Sequence, residues 1–404
     1  MSLVVQKFGG SSVATPDLIK HVAGRVAATR DGGRQVVVAV SAPGDTTDDL
    51  IAMSQRITAN PADREMDMLL ATGEQVSIAL LAMALHARGC PAVSLTGAQA
   101  RIRTEPVHLR ARIVSVDRAR IDRELAAGRV VIVAGFQGIT DEDEITTLGR
   151  GGSDTTAVAL ASALGAEICQ IYTDVEGVFT ADPRVVPEAR KLTAISYDEM
   201  LEMASSGALV LQTRAAELAK QYHVRLEVRS TFVDRGGTVV TDQAIERRRL
   251  VTAVTHDGNV AKIAATGLQD RPGIAHTLFR AIAARHINVN LIIQSVPQAQ
   301  GADISFTVAR SDMAAAVEAA RGVAREIGAR DILSDEGVAM VSIVGAGMIT
   351  NAGVAAKMFG ALARAGINIE LIATSEIKIS CVVRSEDVQK AVRVLHAEFK
   401  MDEE

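Results

Sequence analysis

The chain has no tryptophan, and its three tyrosines and eight phenylalanines bring aromatics to only 3% of 404 residues. A single-stranded nucleic-acid surface built on stacked rings is therefore not expected. The three cysteines, Cys90, Cys169 and Cys381, lie far apart and form no CxxC pair, so neither a disulfide framework nor a zinc site is indicated. No HExxH occurs among the eight histidines, and no dedicated metal site is read. The opening residues lack the long apolar core of a secretion signal, and no run of about 18 apolar residues marks a membrane span. Charge of one sign is not in excess either: 43 basic against 48 acidic side chains gives −5. The lone basic run, Glu246-Arg247-Arg248-Arg249, reads as a solvated linker rather than a nucleic-acid patch. A reduced, cytoplasmic protein with neither nucleic acid nor membrane as partner is expected.

Apolar residues, at 48%, are abundant enough for a sizeable core, and the length calls for two or three domains. Up to about residue 245, short β-branched runs alternate with Ala- and Leu-rich stretches of helical spacing. The runs are LVVQKF (3–8), QVVVAVS (35–41), VVIVAGF (130–136), EICQIYT (167–173) and VRLEVRS (224–230); the longest helical stretch is 66–89. This alternation predicts an α/β domain, a mostly parallel central sheet sandwiched by helices, with chemistry at the carboxyl ends of strands. A polar, glycine-containing segment, about 231–250, reads as a linker. Beyond it the sequence repeats at an offset of 80: Gly273 falls on Gly353, Phe279 on Phe359, Ile287-Asn288 on Ile367-Asn368, and Ser295 on Ser375. Each copy reads as β-α-β-β-α-β. Such a duplicated unit tends to pair with itself or with a twin chain, and the pairing interface is a natural place for a small ligand.

Lys7, Gly9 and Gly10 stand where the first strand hands over to a helix near Thr15-Pro16. The glycines let backbone approach a ligand, and the helix start and lysine suit an anion such as a nucleotide phosphate. A plain strand–turn–helix with a surface lysine fits those residues equally well. TTLGRGGSDTTAVALASALGA (146–166) says more. Arg150 between glycines offers a planar fork for a carboxylate or phosphate, and Asp154 is placed to cap the helix or to orient Lys7 or a substrate amine. SAPGDTTDD (41–49) adds hydroxyls at Ser41, Thr46 and Thr47. ATGEQVS (71–77) sets Glu74 among apolar residues, where a carboxylate needs a partner unless the helix face is exposed. YTDVEGVFTADPR (172–184) brings Asp174, Asp182 and Arg184 with turns that could wrap a nucleoside.

KFGGSSV, SAPGDTTDD, ATGEQVS, TTLGRGGSDTTAVALA and YTDVEGVFTADPR, in this order along the chain, resemble the signature blocks of the aspartate kinases, members of the amino-acid-kinase superfamily. The repeat resembles their paired ferredoxin-like βαββαβ ACT domains, and the resemblance spans nearly the whole chain. It implies a catalytic domain over 1–245, a first ACT domain over 260–335 and a second over 336–404 with a contribution from about 250–259. The implied reaction moves the γ-phosphoryl group of MgATP to the β-carboxylate of L-aspartate, the entry step toward lysine by way of diaminopimelate, and toward threonine and methionine. A carboxylate with a reference pKa near 3.9 is already a nucleophile at pH 7, so the work is to position two anions and neutralise the charge between them.

By the same resemblance Lys7, Arg150 and Asp154 are catalytic. Lys7 bridges phosphates, with Phe8, Gly9, Gly10 and Ser41 beside the nucleotide and Thr173, Asp174, Thr180, Asp182 and Arg184 lining its site. Thr47 and Glu74 hold aspartate, Glu74 through the ammonium, and Arg150, Gly151, Gly152, Ser153 and Asp154 complete that side. Mg²⁺ rides mainly on the phosphates, so no protein metal cage is implied. Lysine, threonine or both are implied as feedback inhibitors. Asp270, Gly273, Ile274, Ala275 and Gln294 line the first sensing site, and Asn368, Ile369, Ser375 and Glu376 the second. Pairing through the ACT domains implies a homodimer, or a heterotetramer with a regulatory subunit made from the same gene. In SSGALVLQTRAAE (205–217) the chain departs from the family: Leu209 stands where a basic residue is usual, and Gln212-Thr213 where His-Pro is frequent; Arg214 and Lys220 are the candidates to replace the missing charge. Pro43, where many relatives carry Met, is a milder departure.

Three other readings stay open on sequence. One is a related kinase acting on glutamate, acetylglutamate, carbamate or a nucleoside monophosphate. Another is a nicotinamide-dependent dehydrogenase drawing on SIVGAGMIT (342–350), although Thr350 stands where the third glycine of that fingerprint belongs and the stretch falls inside the repeat. The third is a non-catalytic amino-acid sensor.

Overall fold

The computed structural model describes residues 2–208, 210–242, 250–269, 271–296 and 301–403. Leu209, the basic run at 246–249 and Asp270 lie outside these described residues. The chain divides into two units, one comprising Met1–Val178, Lys191–Ala204 and Leu209–Glu246, the other Phe179–Arg190, Ser205–Ala208 and Arg247–Glu404.

In chain order the first unit holds β1 (Leu3–Phe8), α1 (Pro16–Asp31), β2 (Gln35–Val40), α2 (Thr46–Ile57), α3 (Asp63–His86), β3 (Ala92–Leu95), β4 (Ile102–Thr104), β5 (Ile113–Val116), α4 (Ala119–Ala126), β6 (Val130–Ala134), β7 (Gln137–Ile139), β8 (Ile145–Thr147), α5 (Gly152–Leu164), β9 (Ile168–Thr173), β10 (Ala194–Ser196), α6 (Tyr197–Ser205), α7 (Thr213–Gln221), β11 (Leu226–Ser230) and β12 (Thr238–Thr241). Eight strands form the main sheet in the order β10-β12-β11-β9-β1-β2-β6-β3, with only the β11–β12 pairing antiparallel. The β-branched runs become its central strands, buried on both faces as a covered parallel sheet requires. Four shorter strands make a second sheet, β5-β4-β7-β8.

The register aligns Phe8 with Val40 and Tyr172, and Val40 with Ala134, so the loops after β1, β2, β6 and β9 emerge along one edge. Side chains alternate across the sheet. Phe8, Val38, Val40 and Ile132 face the helices α1 and α3, sharing a core with Ile19, Val22, Ile78, Leu81 and Leu85. Lys7 faces the other way, toward α5, where it meets Asp154. Helix α1 begins where the sequence indicated, with Thr15 accepting from the Leu18 amide and Pro16 in the first turn. By length and composition α3 is apolar enough to cross a membrane, yet half of its most apolar window is buried within the protein.

The second unit continues with β13 (Ala253–Asp257), β14 (Val260–Leu268), α8 (Ile274–Ala283), β15 (Ile292–Gln294), β16 (Ala302–Ala309), α9 (Met313–Ile327), β17 (Asp331–Asp335), β18 (Val338–Val344), α10 (Val354–Arg364), β19 (Leu371–Thr374), β20 (Lys378–Arg384) and α11 (Val388–Glu398). Two four-stranded antiparallel sheets result, β15-β16-β14-β17 and β13-β18-β20-β19. The first repeat closes with its own last strand, β17. The second borrows β13, from the chain ahead of the first repeat, as the partner of β18. Gly345-Ala346-Gly347 lies in a turn between β18 and α10, and a Cβ on Gly345 would meet the Val251 backbone at 2.7 Å. That packing against the segment ahead of the first repeat accounts for the glycine without a dinucleotide.

Part of the stretch singled out for a nucleotide belongs to this second unit. Ala181, Val185 and Val186 are buried with Val254, Val341, Val392 and Leu395 in the core around the second repeat. Arg393 donates to the Val185 carbonyl at 3.0 Å, and Arg190 to the Met401 carbonyl at 2.9 Å.

Candidate active site

The strand edge of the first unit gathers most of the chemistry read from the sequence. Lys7 Nζ lies 2.7 Å from Asp154 Oδ1, and the two side chains are only 12% and 8% exposed. Asp154 therefore serves the lysine rather than the helix end; α5 has Gly151 as its N-cap, with no side-chain cap. The loops after β1 and β2 interlock, with the Gly44 amide donating to the Gly10 carbonyl at 3.0 Å. A Cβ on Gly10 would stand 2.9 Å from both the Ala42 and Gly44 carbonyl oxygens, so only glycine allows this approach. The Ser41 amide donates to the Phe8 carbonyl at 3.1 Å, and the Ser41 side chain is half-buried.

Glu74 reaches the same edge from α3. It is 2% exposed; Oε1 accepts from the Ala42 amide at 3.1 Å, while Oε2 is buried with no partner among the described residues. Burial pushes its pKa up to about 7, against the opposing pull of backbone hydrogen bonds at Glu74 and Ala42. A buried carboxylate with one free oxygen is suited to an incoming cation, such as an ammonium group. Thr47, half-buried, lies in the first turn of α2, which follows the Ser41–Asp45 loop. The Thr46 hydroxyl is engaged by the Pro43 carbonyl at 2.6 Å.

Arg150 is exposed, between Gly149 and Gly151, whose φ of +77° and +74° lie in the left-handed region. Ser153 packs against Gly135, its Oγ 2.7 Å from where a Cβ there would stand. Gln212 closes over Gly151, with its side chain in the space a Cβ on Gly151 would need. Of the two basic candidates, Arg214 donates to the Leu148 and Ala111 carbonyls at 2.9 and 2.7 Å, bracing the glycine loop from behind. Lys220 is held by Asp198 at 2.5 Å.

The nucleotide candidates are divided between the two units. Phe8 is fully buried, its ring stacked on Tyr172 with centroids 4.6 Å apart, so only its backbone reaches the loop. Thr173 ends β9 and Asp174 follows it, the two joined by a 2.9 Å hydrogen bond. Thr180, Asp182 and Arg184 belong to the second unit. There the buried Thr180 hydroxyl bonds His396 Nε2 at 2.9 Å, and Arg184 holds Asp182 through bonds of 2.8 to 3.2 Å, lowering the Asp182 pKa.

One corner escaped the sequence reading. Ser12 and Thr231, both fully buried, share a 2.6 Å hydroxyl hydrogen bond that ties the loop after β1 to the loop after β11. Arg25 donates to the Thr231 carbonyl at 2.8 Å and lies 5.7 Å from the Tyr172 ring centroid. Serine and threonine 219 positions apart carry no local signal of such a bond. Among the described residues no cluster of three or more His, Cys, Asp or Glu side chains gathers.

In the second unit, Gly273, Ile274, Ala275 and Gln294 line one concavity of about 220 Å³, together with Gln269 and Arg271. Asp270 lies outside the described residues. Asn368 and Ile369 precede β19 whereas Ser375 and Glu376 follow it, so these four sit at opposite ends of one short edge strand.

The amino acid kinase family model matches residues 2–230, and an ACT domain model matches 262–322 and 341–399. The chain is 49% identical over 404 residues to aspartate kinase Ask_LysC of Stutzerimonas stutzeri (strain A1501), covering 100% of this chain and 98% of that one. It is also similar to E. coli aspartokinase III in complex with aspartate and ADP (R-state), with a TM-score of 0.81 at 26% identity, over 98% of this chain and 99% of the other. The same enzyme in complex with lysine and aspartate (T-state) gives a TM-score of 0.74 at 26% identity, over 98% and 99% of the two chains.

Proposed function

The chain belongs to the amino acid kinase family, in its aspartate kinase branch with C-terminal ACT domains, and we propose that it converts L-aspartate and MgATP to 4-phospho-L-aspartate and ADP at the strand edge around Lys7. One observation carries this reading: a Lys7–Asp154 pair stands at an edge where Glu74 also presents a buried, unpartnered oxygen. The solved relative with aspartate and ADP supports the choice of substrates.

In this mechanism the aspartate β-carboxylate needs no base. Lys7 neutralises charge on the phosphoryl group in flight, and Asp154 keeps the ammonium aimed there. The amides of Gly10, Ser11 and Asp45, which the hydrogen bonds between these loops leave over, meet the phosphates, with Ser41 near the γ-phosphate and Thr173 and Asp174 toward the nucleoside. Glu74 takes the substrate ammonium, Thr47 assists, and Arg150 clamps a carboxylate beside Gly151, Gly152 and Ser153. Mg²⁺, carried by the phosphates, adds charge neutralisation.

The product enters the common route to lysine, threonine and methionine, and the enzyme works in the cytoplasm. Lysine, threonine or both inhibit it at the ACT domains, the concavity beside Gly273 and Gln294 being the first sensing site; the lysine complex of the E. coli relative supports this. Subunits associate through the ACT domains. An effector that binds one arrangement of the pair more tightly shifts the population toward it. The test is acyl-phosphate formation, trapped as the hydroxamate, from aspartate and MgATP with lysine and threonine added singly and together. Absence of product from aspartate overturns the reading.

A further inference from the structure

We propose that Asp67 is a positioning residue that sets the separation between the two grips on the amino-acid substrate, Glu74 and Arg150. The proposal rests on the aspartate kinase reading above. Asp67 lies on α3 seven residues before Glu74, two helical turns or about 10 Å along the axis, and on the same buried face. It is fully buried. Its carboxylate accepts from Thr147 Oγ1 at 2.5 Å, from His108 Nδ1 at 2.7 Å, and from the Leu109 amide at 3.1 and 3.2 Å. A carboxylate so far from water is tolerated only when satisfied in this way.

The partners come from separate pieces of chain, and Thr147 is the last residue of β8. Three residues on comes Arg150, which makes no hydrogen bond or ion pair among the described residues. Its neighbours Gly149 and Gly151 have no side chains to aim it, so the end of β8 decides where the arginine starts. On the other side the Ala111 amide donates to the Thr147 carbonyl at 2.9 Å, and Arg214 holds both Leu148 and Ala111. From Glu74 to Arg150 the path is thus two turns of rigid helix, one short hydrogen bond and three residues. An amino acid held at its ammonium by Glu74 and at a carboxylate by Arg150 feels any change in that path as misplacement.

The test compares Asp67→Asn, which removes the charge at nearly constant volume, with Thr147→Val, which removes only the donor, and Thr147→Ser, which keeps it. In the hydroxamate assay the first two raise KM for aspartate by about tenfold or more, leave KM for MgATP unchanged, and Thr147→Ser restores the wild-type value. An unchanged aspartate KM in Thr147→Val overturns the proposal. So does a parallel rise in both KM values, or a fall in thermal stability alone, since either marks a merely structural role. Should Asp67→Asn fail to fold, the Thr147 pair decides by itself. A wild-type protein that makes no acyl phosphate takes down the aspartate kinase reading instead, which keeps the two failures distinct.

Discussion

Aspartate binding by this protein should release a proton, and the proton should come from Glu74. Burial raises the Glu74 pKa to about 7 from an ordinary value of 4.5. That displacement corresponds to roughly 3 kcal/mol disfavouring the charged form in the ligand-free protein. The sign for stability follows: the contribution is fully present below pH 4.5 and is lost as pH rises through about 7, because the native state holds the proton more tightly than the unfolded chain. An ammonium docked on the buried Oε2 reverses the preference and expels the proton. At pH 6 about nine-tenths of the sites are protonated, and at pH 7.5 about a quarter, so aspartate affinity should rise about eightfold across that interval. Titration calorimetry with aspartate alone, in two buffers of different ionisation enthalpy, reads both quantities: near 0.9 proton released per site at about pH 6, falling toward a quarter at pH 7.5. Glu74→Gln should bind weakly with a flat profile. A wild-type profile that is flat from pH 6 to 7.5, or a Gln variant with the same slope, refutes the assignment.

Other consequences are as direct. Lys7→Ala should lower kcat by about 10²- to 10³-fold in the hydroxamate assay, and should leave Asp154 as a buried charge without its partner. Gly10→Ala should raise KM for MgATP, because its Cβ would press on two carbonyl oxygens at 2.9 Å; Gly322→Ala, in α9 with open space around it, serves as the control. In the second unit, burial lowers the His396 pKa below 6.5, with Asp402 and Glu188 opposing and Arg190 reinforcing. Stability from this group is present above pH 6.5 and lost as pH falls through the lowered value, so thermal unfolding followed from pH 7.5 to 5 should show a slope that His396→Gln flattens. Gln294→Ala should weaken inhibition by lysine or threonine several-fold in the same hydroxamate assay while uninhibited turnover stays unchanged.

Much of the first unit's sheet was legible because its signals are local. LVVQKF, QVVVAVS and VVIVAGF are too apolar and β-branched to be anything but covered strands, and β1 and β2 end within a residue of the runs that indicated them. The repeat was legible for the same reason, since each copy carries its own turns and periodicity. The short strands β4, β5, β7 and β8 were not foreseen. At three or four residues each they carry too little pattern, and pairing with one another defines them. The glycine loops marked the strand ends, but not which side chains would converge there.

Sequence alone determined that strands would alternate with helices, that glycines would mark the strand ends, and that a sensor-like module would occur twice. Only the tertiary structure decided the pairings. Lys7 meets Asp154, 147 positions away, because alternation turns the lysine to the face that α5 covers. Glu74 became a raised-pKa carboxylate because α3 buries it against the Ala42 amide. Arg214 turned out to be a brace and Thr180 a buried partner of His396. Periodicity is a property of neighbours along the chain, whereas charge pairing and burial depend on what the fold brings close, and no window of sequence contains both partners.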